Sequence, residues 1–111
     1  MKAFFEVKDV EQDWRPPFEK KVTEKSFEVE ENEAFDRFEG LGSDIFTLVR
    51  ANGEFAVVKY HTQFTLKGYE QPRDKQVLLK KGEEASFSFL WGKNGLTKKL
   101  CFKGFNGDGQ Q

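Results

Sequence analysis

The chain has few of the residues from which chemical sites are usually built. Among its 111 residues are one cysteine, Cys101, one histidine, His61, and three prolines. A single cysteine cannot form an intramolecular disulfide, which excludes the small disulfide-stapled secreted domains. A zinc site needs several histidine and cysteine ligands, so the sequence predicts no metal, and we expect no other cofactor.

Long apolar segments are also missing. A membrane-spanning helix needs roughly 20 consecutive apolar residues, and no stretch of this chain approaches that length. The N-terminal "MKAFFEVKDVEQDW" becomes acidic too early for a signal peptide. Together with the single cysteine, these absences predict a cytoplasmic protein in a reducing compartment, without a membrane partner.

A surplus of positive charge is the third missing feature. The net charge is -1 at pH 7, whereas affinity for a phosphate backbone depends on excess lysine and arginine, so a nucleic-acid partner is not expected. The charge is unevenly distributed, with a net -6 over residues 1–54 and a net +5 over residues 55–111. The two halves either attract each other within the fold, which is the simpler interpretation, or meet between copies in a homo-oligomer.

Phenylalanine, by contrast, is abundant. Thirteen Phe, two Trp and two Tyr supply the burial that aliphatic residues usually provide. One hydrophobic core is sufficient for a chain of this length. We therefore predict a single β-sandwich domain over residues 1–105 and a flexible tail over residues 106–111, where Gly, Asn and Gln bury little.

Turn residues interrupt the chain at short intervals, at "RPP", "GLGSD", "NG", "GYEQP", "KKGEE" and "GKNG". Between them lie short segments rich in Phe and Val, which are typical of antiparallel strands. We predict an all-β fold, an antiparallel β-sandwich of seven or eight strands. The segment "ENEAFDRFEG" breaks the pattern and predicts at most one short helical turn.

One run of the sequence resembles a known class of domain. "VLLKKGEEASFSFLW" combines a strand, a basic turn with glycine, and a strand with alternating aromatics that ends in tryptophan. It is similar to a strand-to-strand step of small immunoglobulin-like binding and inhibitor domains. The resemblance implies an Ig-like sandwich and carries no activity with it.

The hairpin "DIFTLVRANGEFAVVKY" predicts an apolar outer surface. A tight turn at Asn52-Gly53 would place Val49 opposite Ala56 on one face of the sheet. The opposite face would then present Phe46, Phe55 and Val57. Because such residues anchor protein interfaces, we predict that these three contact a partner.

The second hairpin, "ASFSFLWGKNGLTKKLCF", predicts an inner face and a basic outer face. A turn at Asn94-Gly95 would pair Phe89 with Leu100 inside and Ser88 with Cys101 outside. Lysines on both sides of Cys101 would favour its thiolate, which makes it a candidate reactive thiol. The alternative is a small buried filler, since free cysteines are usually buried.

The segment "DWRPPF" allows two interpretations. Its prolines exclude a central strand, so the segment is either a bend in an edge strand or an exposed, stiff loop. In the first case Trp14 and Phe18 pack into the end of the core. In the second case Trp14 and Arg15 are presented to a partner, a role in which a preformed conformation lowers the entropic cost of binding.

No catalytic constellation can be assembled from the sequence. The lone histidine and lone cysteine have no orienting motif. The acidic stretch "EVEENEAFDRFE" is typical of a solvent-exposed surface and not of two carboxylates held in a cleft. We therefore predict no enzyme but a small non-catalytic binding module for a protein partner. Two alternatives stay open: a self-assembling structural subunit, and a carrier of an apolar small ligand.

Overall fold

The computed structural model describes residues 2–91 and 94–105. In these residues the chain forms strands and no helix, and the predicted all-β antiparallel sandwich is confirmed. The described residues form nine strands rather than seven or eight: β1 (Ala3–Asp13), β2 (Lys20–Val29), β3 (Ala34–Phe38), β4 (Ser43–Ala51), β5 (Phe55–Tyr60), β6 (Thr65–Leu66), β7 (Gln76–Lys80), β8 (Glu84–Trp91) and β9 (Asn94–Phe105). The predicted tail, residues 106–111, lies outside the described residues.

Two antiparallel sheets pack face to face. The larger sheet has five strands in the order β2-β1-β9-β8-β6, and the smaller has four in the order β3-β4-β5-β7. The first and last strands, β1 and β9, are neighbours at the centre of the larger sheet. Strands β2 and β6 form the edges of this sheet.

The core follows from alternation along the strands. In β1 the inward positions are Ala3, Phe5 and Val7, as expected of a sheet with one buried face. Phenylalanine rings then connect the two sheets: Phe5 and Phe35 stack with ring centroids 5.0 Å apart, and Phe46 meets Phe87 at 5.3 Å. Such aromatic pairs add to the stabilisation that area burial provides.

The predicted helical turn over "ENEAFDRFEG" is wrong, because residues 34–38 form strand β3. Asp36 has a left-handed backbone, with φ of 64°, which interrupts the alternation of the strand. As a result both Phe35 and Asp36 point into the core. The register of β3 with β4 is the same before and after Asp36, so the left-handed backbone and not an inserted residue redirects the side chain.

The register of the first hairpin differs from the prediction. Ala51 pairs with Ala56, and the Asn52 side chain accepts hydrogen bonds from the backbone N–H groups of Glu54 and Phe55, at 2.8 and 2.9 Å. The turn is therefore shifted by one residue from the predicted one. A bulge between Leu48 and Arg50 then changes the register again.

The second hairpin also has a different register. Trp91 pairs with Asn94, so Asn94-Gly95 lies within strand β9 and does not form the predicted turn, while residues 92–93 lie outside the described residues. Phe89 consequently pairs with Leu96, and Phe87 with Lys98. Lys98 lies inside the sandwich with 1% of its surface exposed.

Candidate binding surface

The outer face of the five-stranded sheet has an apolar, aromatic part near the β1–β2 loop. Val10 of β1 pairs with Val22 of β2 on one side and with Thr97 of β9 on the other. On β8, Leu90 is 75% exposed, the largest exposure among the described large apolar side chains. Trp14 follows directly after β1 and completes this surface, which we call the Trp14 surface.

The loop that carries Trp14 is held by internal hydrogen bonds. The backbone N–H of Asp13 donates to the Glu19 carbonyl at 2.9 Å, and that of Phe18 donates to the Arg15 carbonyl at 2.6 Å. The Gln12 side-chain amide donates to the Phe18 carbonyl at 2.9 Å, and the Pro16–Pro17 peptide bond is cis. The segment is thus a defined hairpin loop.

Neither aromatic side chain of this loop enters the core. Trp14 is 58% exposed and Phe18 is similarly exposed, so the expectation that both pack into the end of the core is wrong. The Trp14 indole lies over Gly95 of β9, where an added Cβ would come within 3.0 Å of the indole Nε1. Gly95 therefore allows this close approach, since an alanine there would require the indole to move by a few tenths of an ångström.

A shallow groove of about 430 Å³ runs beside the indole. Val10, Gln12, Trp14 and Leu90 contribute to its walls together with three lysines, Lys20, Lys67 and Lys99, and its lining contains no Asp or Glu. Within the described part of the chain, none of these three lysines forms an ion pair. The groove therefore combines apolar contact area with three lysines that form no ion pair in the described part of the chain.

Arg15, predicted as a partner contact, is occupied by its own chain. Its guanidinium donates from Nε and Nη2 to the two carboxylate oxygens of Asp13, both at 3.1 Å. The hydrogen bond and the charge of Asp13 raise the pKa of Arg15 above its ordinary value. A partner would have to replace this bidentate contact, so Arg15 is a weaker anchor than Trp14.

A smaller apolar patch lies on the outer face of the other sheet. Phe55 is 38% exposed, and Val57 pairs with the exposed Leu78 of β7. The predicted third member, Phe46, is in the core with 0% exposed surface, opposite Tyr60. Its assignment to an outer face is wrong because the shifted register turned it inward.

The environment of Cys101 is not the one predicted. It is half-buried on the outer face, between Glu6 of β1 and Glu84 of β8, and not opposite Ser88. Burial raises the pKa of the thiol, Lys103 opposes this rise, and Glu6 and Glu84 add to it. The expectation that lysines favour the thiolate is therefore wrong.

We expect native Cys101 to react with iodoacetamide at neutral pH more slowly than the same cysteine in the denatured chain. Alkylation requires the thiolate, and a raised pKa leaves less of it. Mass spectrometry of timed samples measures the two rates. Glu84→Gln should accelerate the native reaction and Lys103→Met should slow it; a native rate equal to the denatured one contradicts the prediction.

Four charged side chains from distant parts of the sequence meet between the sheets, and no single motif predicts them as a group. The Lys98 ammonium donates to both oxygens of Asp9, at 2.9 and 3.0 Å, and to Asp36 Oδ2 at 2.7 Å. Lys25 Nζ lies 3.1 Å from oxygens of both Asp9 and Asp36. The signal was present, since Asp9 and Lys98 occupy inward positions of strands β1 and β9.

The charge of Lys25 depends on this cluster. Burial by itself would lower the pKa of Lys25, but hydrogen bonds and attraction from Asp36 and Asp9 together outweigh burial and raise it. Lys25 comes from the edge strand β2, and it is the most exposed member of the four. It closes the cluster on the solvent side.

Among the described residues, no group of three or more His, Cys, Asp or Glu is arranged to hold a metal ion. No helix in the described ranges is long and apolar enough to cross a membrane. Comparisons with protein-family models, curated proteins and solved structures find no match to this chain, so its function must be inferred from its own surface chemistry.

Proposed function

We propose that the protein is a non-catalytic binding module that recognises a protein partner through the Trp14 surface. The observation that carries this proposal is the state of Trp14, which is 58% exposed yet lies close against Gly95. A tryptophan that is already fixed loses little entropy when a partner covers it. Tryptophan is also among the residues that most often dominate the binding energy of interfaces.

The composition of the groove defines the chemistry of the partner. Trp14, Leu90 and Val10 offer apolar area, and Lys20, Lys67 and Lys99 stand around them without a carboxylate in the lining. Charge complementarity favours an acidic segment and steers its approach. We therefore propose a peptide segment that carries an aromatic or aliphatic side chain among aspartates or glutamates.

The proposal is tested by selection from a random peptide library displayed on phage, with the full chain immobilised. Acidic peptides with an apolar residue should be enriched, and Trp14→Ala should reduce the affinity of the selected peptides at least tenfold, an effect of about 1.4 kcal/mol or more. Gly95→Ala should act in the same direction, because its Cβ would displace the indole. Binding should also weaken as salt is added.

The matched control is Phe55→Ala, which alters the apolar patch of the other sheet. We expect this variant to bind the selected peptides as the wild-type chain does. Loss of binding in Phe55→Ala together with full binding in Trp14→Ala would move the site to the four-stranded sheet. Enrichment of basic peptides would contradict the proposed partner chemistry.

Self-association is the second candidate function, supported by the layout of the strands. The register of β1 with β2 places the β2–β3 connection at the end of the sheet opposite to the Trp14 loop. That connection exposes Glu30, Glu31 and Glu33. A second copy could bring these glutamates to the lysines of the groove, and salt-sensitive sedimentation at increasing protein concentration would distinguish this candidate.

A further inference from the structure

The buried cluster brings an amine and a carboxylate into position for amide formation. Lys98 Nζ lies 2.7 Å from Asp36 Oδ2. Both residues are buried, with 1% of the surface of Lys98 and 3% of that of Asp36 exposed. They belong to facing sheets, since Lys98 is on β9 and Asp36 on β3. A covalent bond between them would join the two sheets through the core.

The backbone around Asp36 has an unusual conformation that directs this carboxylate inward. The left-handed φ of 64° at Asp36 allows it to share the buried side of β3 with its neighbour Phe35. Regular alternation would have turned one of the two residues to solvent. Left-handed conformations of residues other than glycine tend to persist at functional sites.

Stability alone gives a weak reason for four charges in a core of Phe and aliphatic residues. A buried ion pair rarely stabilises a fold more than apolar side chains of equal volume, because the loss of hydration offsets the attraction. In this cluster, moreover, the two carboxylates make different contacts with the two lysines. Asp9 presents both oxygens to Lys98, whereas Asp36 presents one oxygen to Lys98 and the other to Lys25.

We propose that Lys98 and Asp36 condense to an intramolecular isopeptide bond, with Asp9 transferring the protons and Lys25 stabilising the negative oxygen of the intermediate. The bond joins Nζ of Lys98 to Cγ of Asp36, and one water molecule is released.

The reaction begins with proton transfer inside the ion pair. The Lys98 ammonium gives one proton to the Asp36 carboxylate, which yields a neutral amine and a neutral carboxylic acid, the forms that a buried site disfavours least. The amine lone pair attacks Cγ, and the C=O electrons move to Oδ1. There the Lys25 ammonium, 3.1 Å away, stabilises the charge.

The intermediate then loses water. Asp9, whose two oxygens lie 2.9 and 3.0 Å from Lys98 Nζ, takes a proton from the nitrogen and delivers it to the hydroxyl that departs from Cγ. The Oδ1 electrons re-form the carbonyl. Asp9 and Lys25 end the reaction unchanged and 3.1 Å apart, so the core keeps a neutral ion pair after one ammonium and one carboxylate have been consumed.

Intact-mass spectrometry of the purified full chain tests the proposal directly. The expected mass is that of the sequence less one water. Trypsin should then yield one branched peptide in which residues 26–37 are joined to residues 94–99, because the acylated Lys98 is no longer a cleavage site. A folded protein with the unmodified mass overturns the proposal, and a linkage of Lys98 to Asp9 overturns the assignment of Asp36 as acceptor.

Three variants separate formation of the isopeptide bond from folding of the chain. Asp36→Asn should lose ammonia instead of water and reach the same final mass as the reacted wild-type chain, because the product is the same amide. Lys98→Arg should keep its full mass, since arginine stays protonated and is not a nucleophile. Asp9→Asn, folded by circular dichroism, should lose most of the conversion; complete conversion in that variant would remove Asp9 from the mechanism.

The surface offers an internal control in the same digest. Lys8 Nζ lies 3.5 Å from Glu24 Oε1 in an exposed cross-strand pair. Both side chains are exposed to solvent and, among the described residues, no second lysine or carboxylate is paired with them, so no branched peptide from this pair is expected. A linkage there would show that the dehydration is not specific to the buried cluster and would contradict the proposal.

Discussion

Replacement of Phe46 by alanine is expected to destabilise the protein by about 3–5 kcal/mol, the range for removal of a buried phenylalanine. Its ring is completely buried and contacts Phe35 and Phe87, with ring centroids 5.4 and 5.3 Å apart. The substitution therefore leaves a cavity at the point where the aromatic rings of the two sheets meet. Urea unfolding followed by circular dichroism measures the change in the free energy of unfolding.

Phe55 provides the matched comparison, because it lies on the neighbouring strand but is 38% exposed. Phe55→Ala removes the same ring atoms from a partly exposed position, where the smaller buried area predicts a smaller loss of about 1–2 kcal/mol. The two variants together test the inward register of β4. Equal destabilisation by both substitutions would contradict the assignment of Phe46 to the core and Phe55 to the surface.

Replacement of Lys98 by methionine is the second change with a large expected effect. Methionine has a similar length but no charge, so Asp9 and Asp36 would keep only Lys25 as a counterion. Removing one partner of a buried ion pair leaves uncompensated charge in the core and costs about 3–5 kcal/mol. The variant would also lack the amine of the proposed isopeptide bond, and the loss of a covalent link acts in the same direction.

The control for this experiment is Lys8→Met, which removes the same ammonium from the exposed pair with Glu24. Exposed pairs contribute roughly 0–1 kcal/mol. The comparison should be made at neutral pH. Because the pKa of Lys25 is raised, its contribution is complete there and is lost only as the pH rises through that raised value, above the ordinary 10.5. A stability of Lys98→Met equal to that of Lys8→Met would contradict the burial of the cluster.

Local patterns correctly predicted which side chains face inward where this depended only on the alternation within one strand. In β5 the predicted inward residues Val58 and Tyr60 are buried, and Phe55 and Val57 face outward as expected. Hairpin register was the weak point. The Asn52 side chain binds the backbone of Glu54 and Phe55 and shifts the turn by one residue, and a bulge at Val49 shifts the pairing again, which moved Phe46 from the expected surface to the core.

The candidate binding surface was only partly predictable. The sequence identified Trp14 as a candidate contact but left its environment open, since the residue it lies over, Gly95, is distant in the chain. The lysines of the groove come from β2, β9 and the segment after β6, so only strand order brings them together. Arg15 was also predicted to contact a partner, but its guanidinium is hydrogen-bonded to Asp13, two residues earlier in the chain.

The sequence by itself determined that this protein is an all-β sandwich rich in aromatic residues, with one free thiol, because composition, turn residues and alternation act over a few residues at a time. Only the tertiary structure decided that Asp9, Lys25, Asp36 and Lys98 meet in the core and that Trp14 lies over Gly95. These contacts depend on which strands pair and in which register. A shift of one residue turns every side chain of a strand to the opposite face, so local patterns alone cannot fix them.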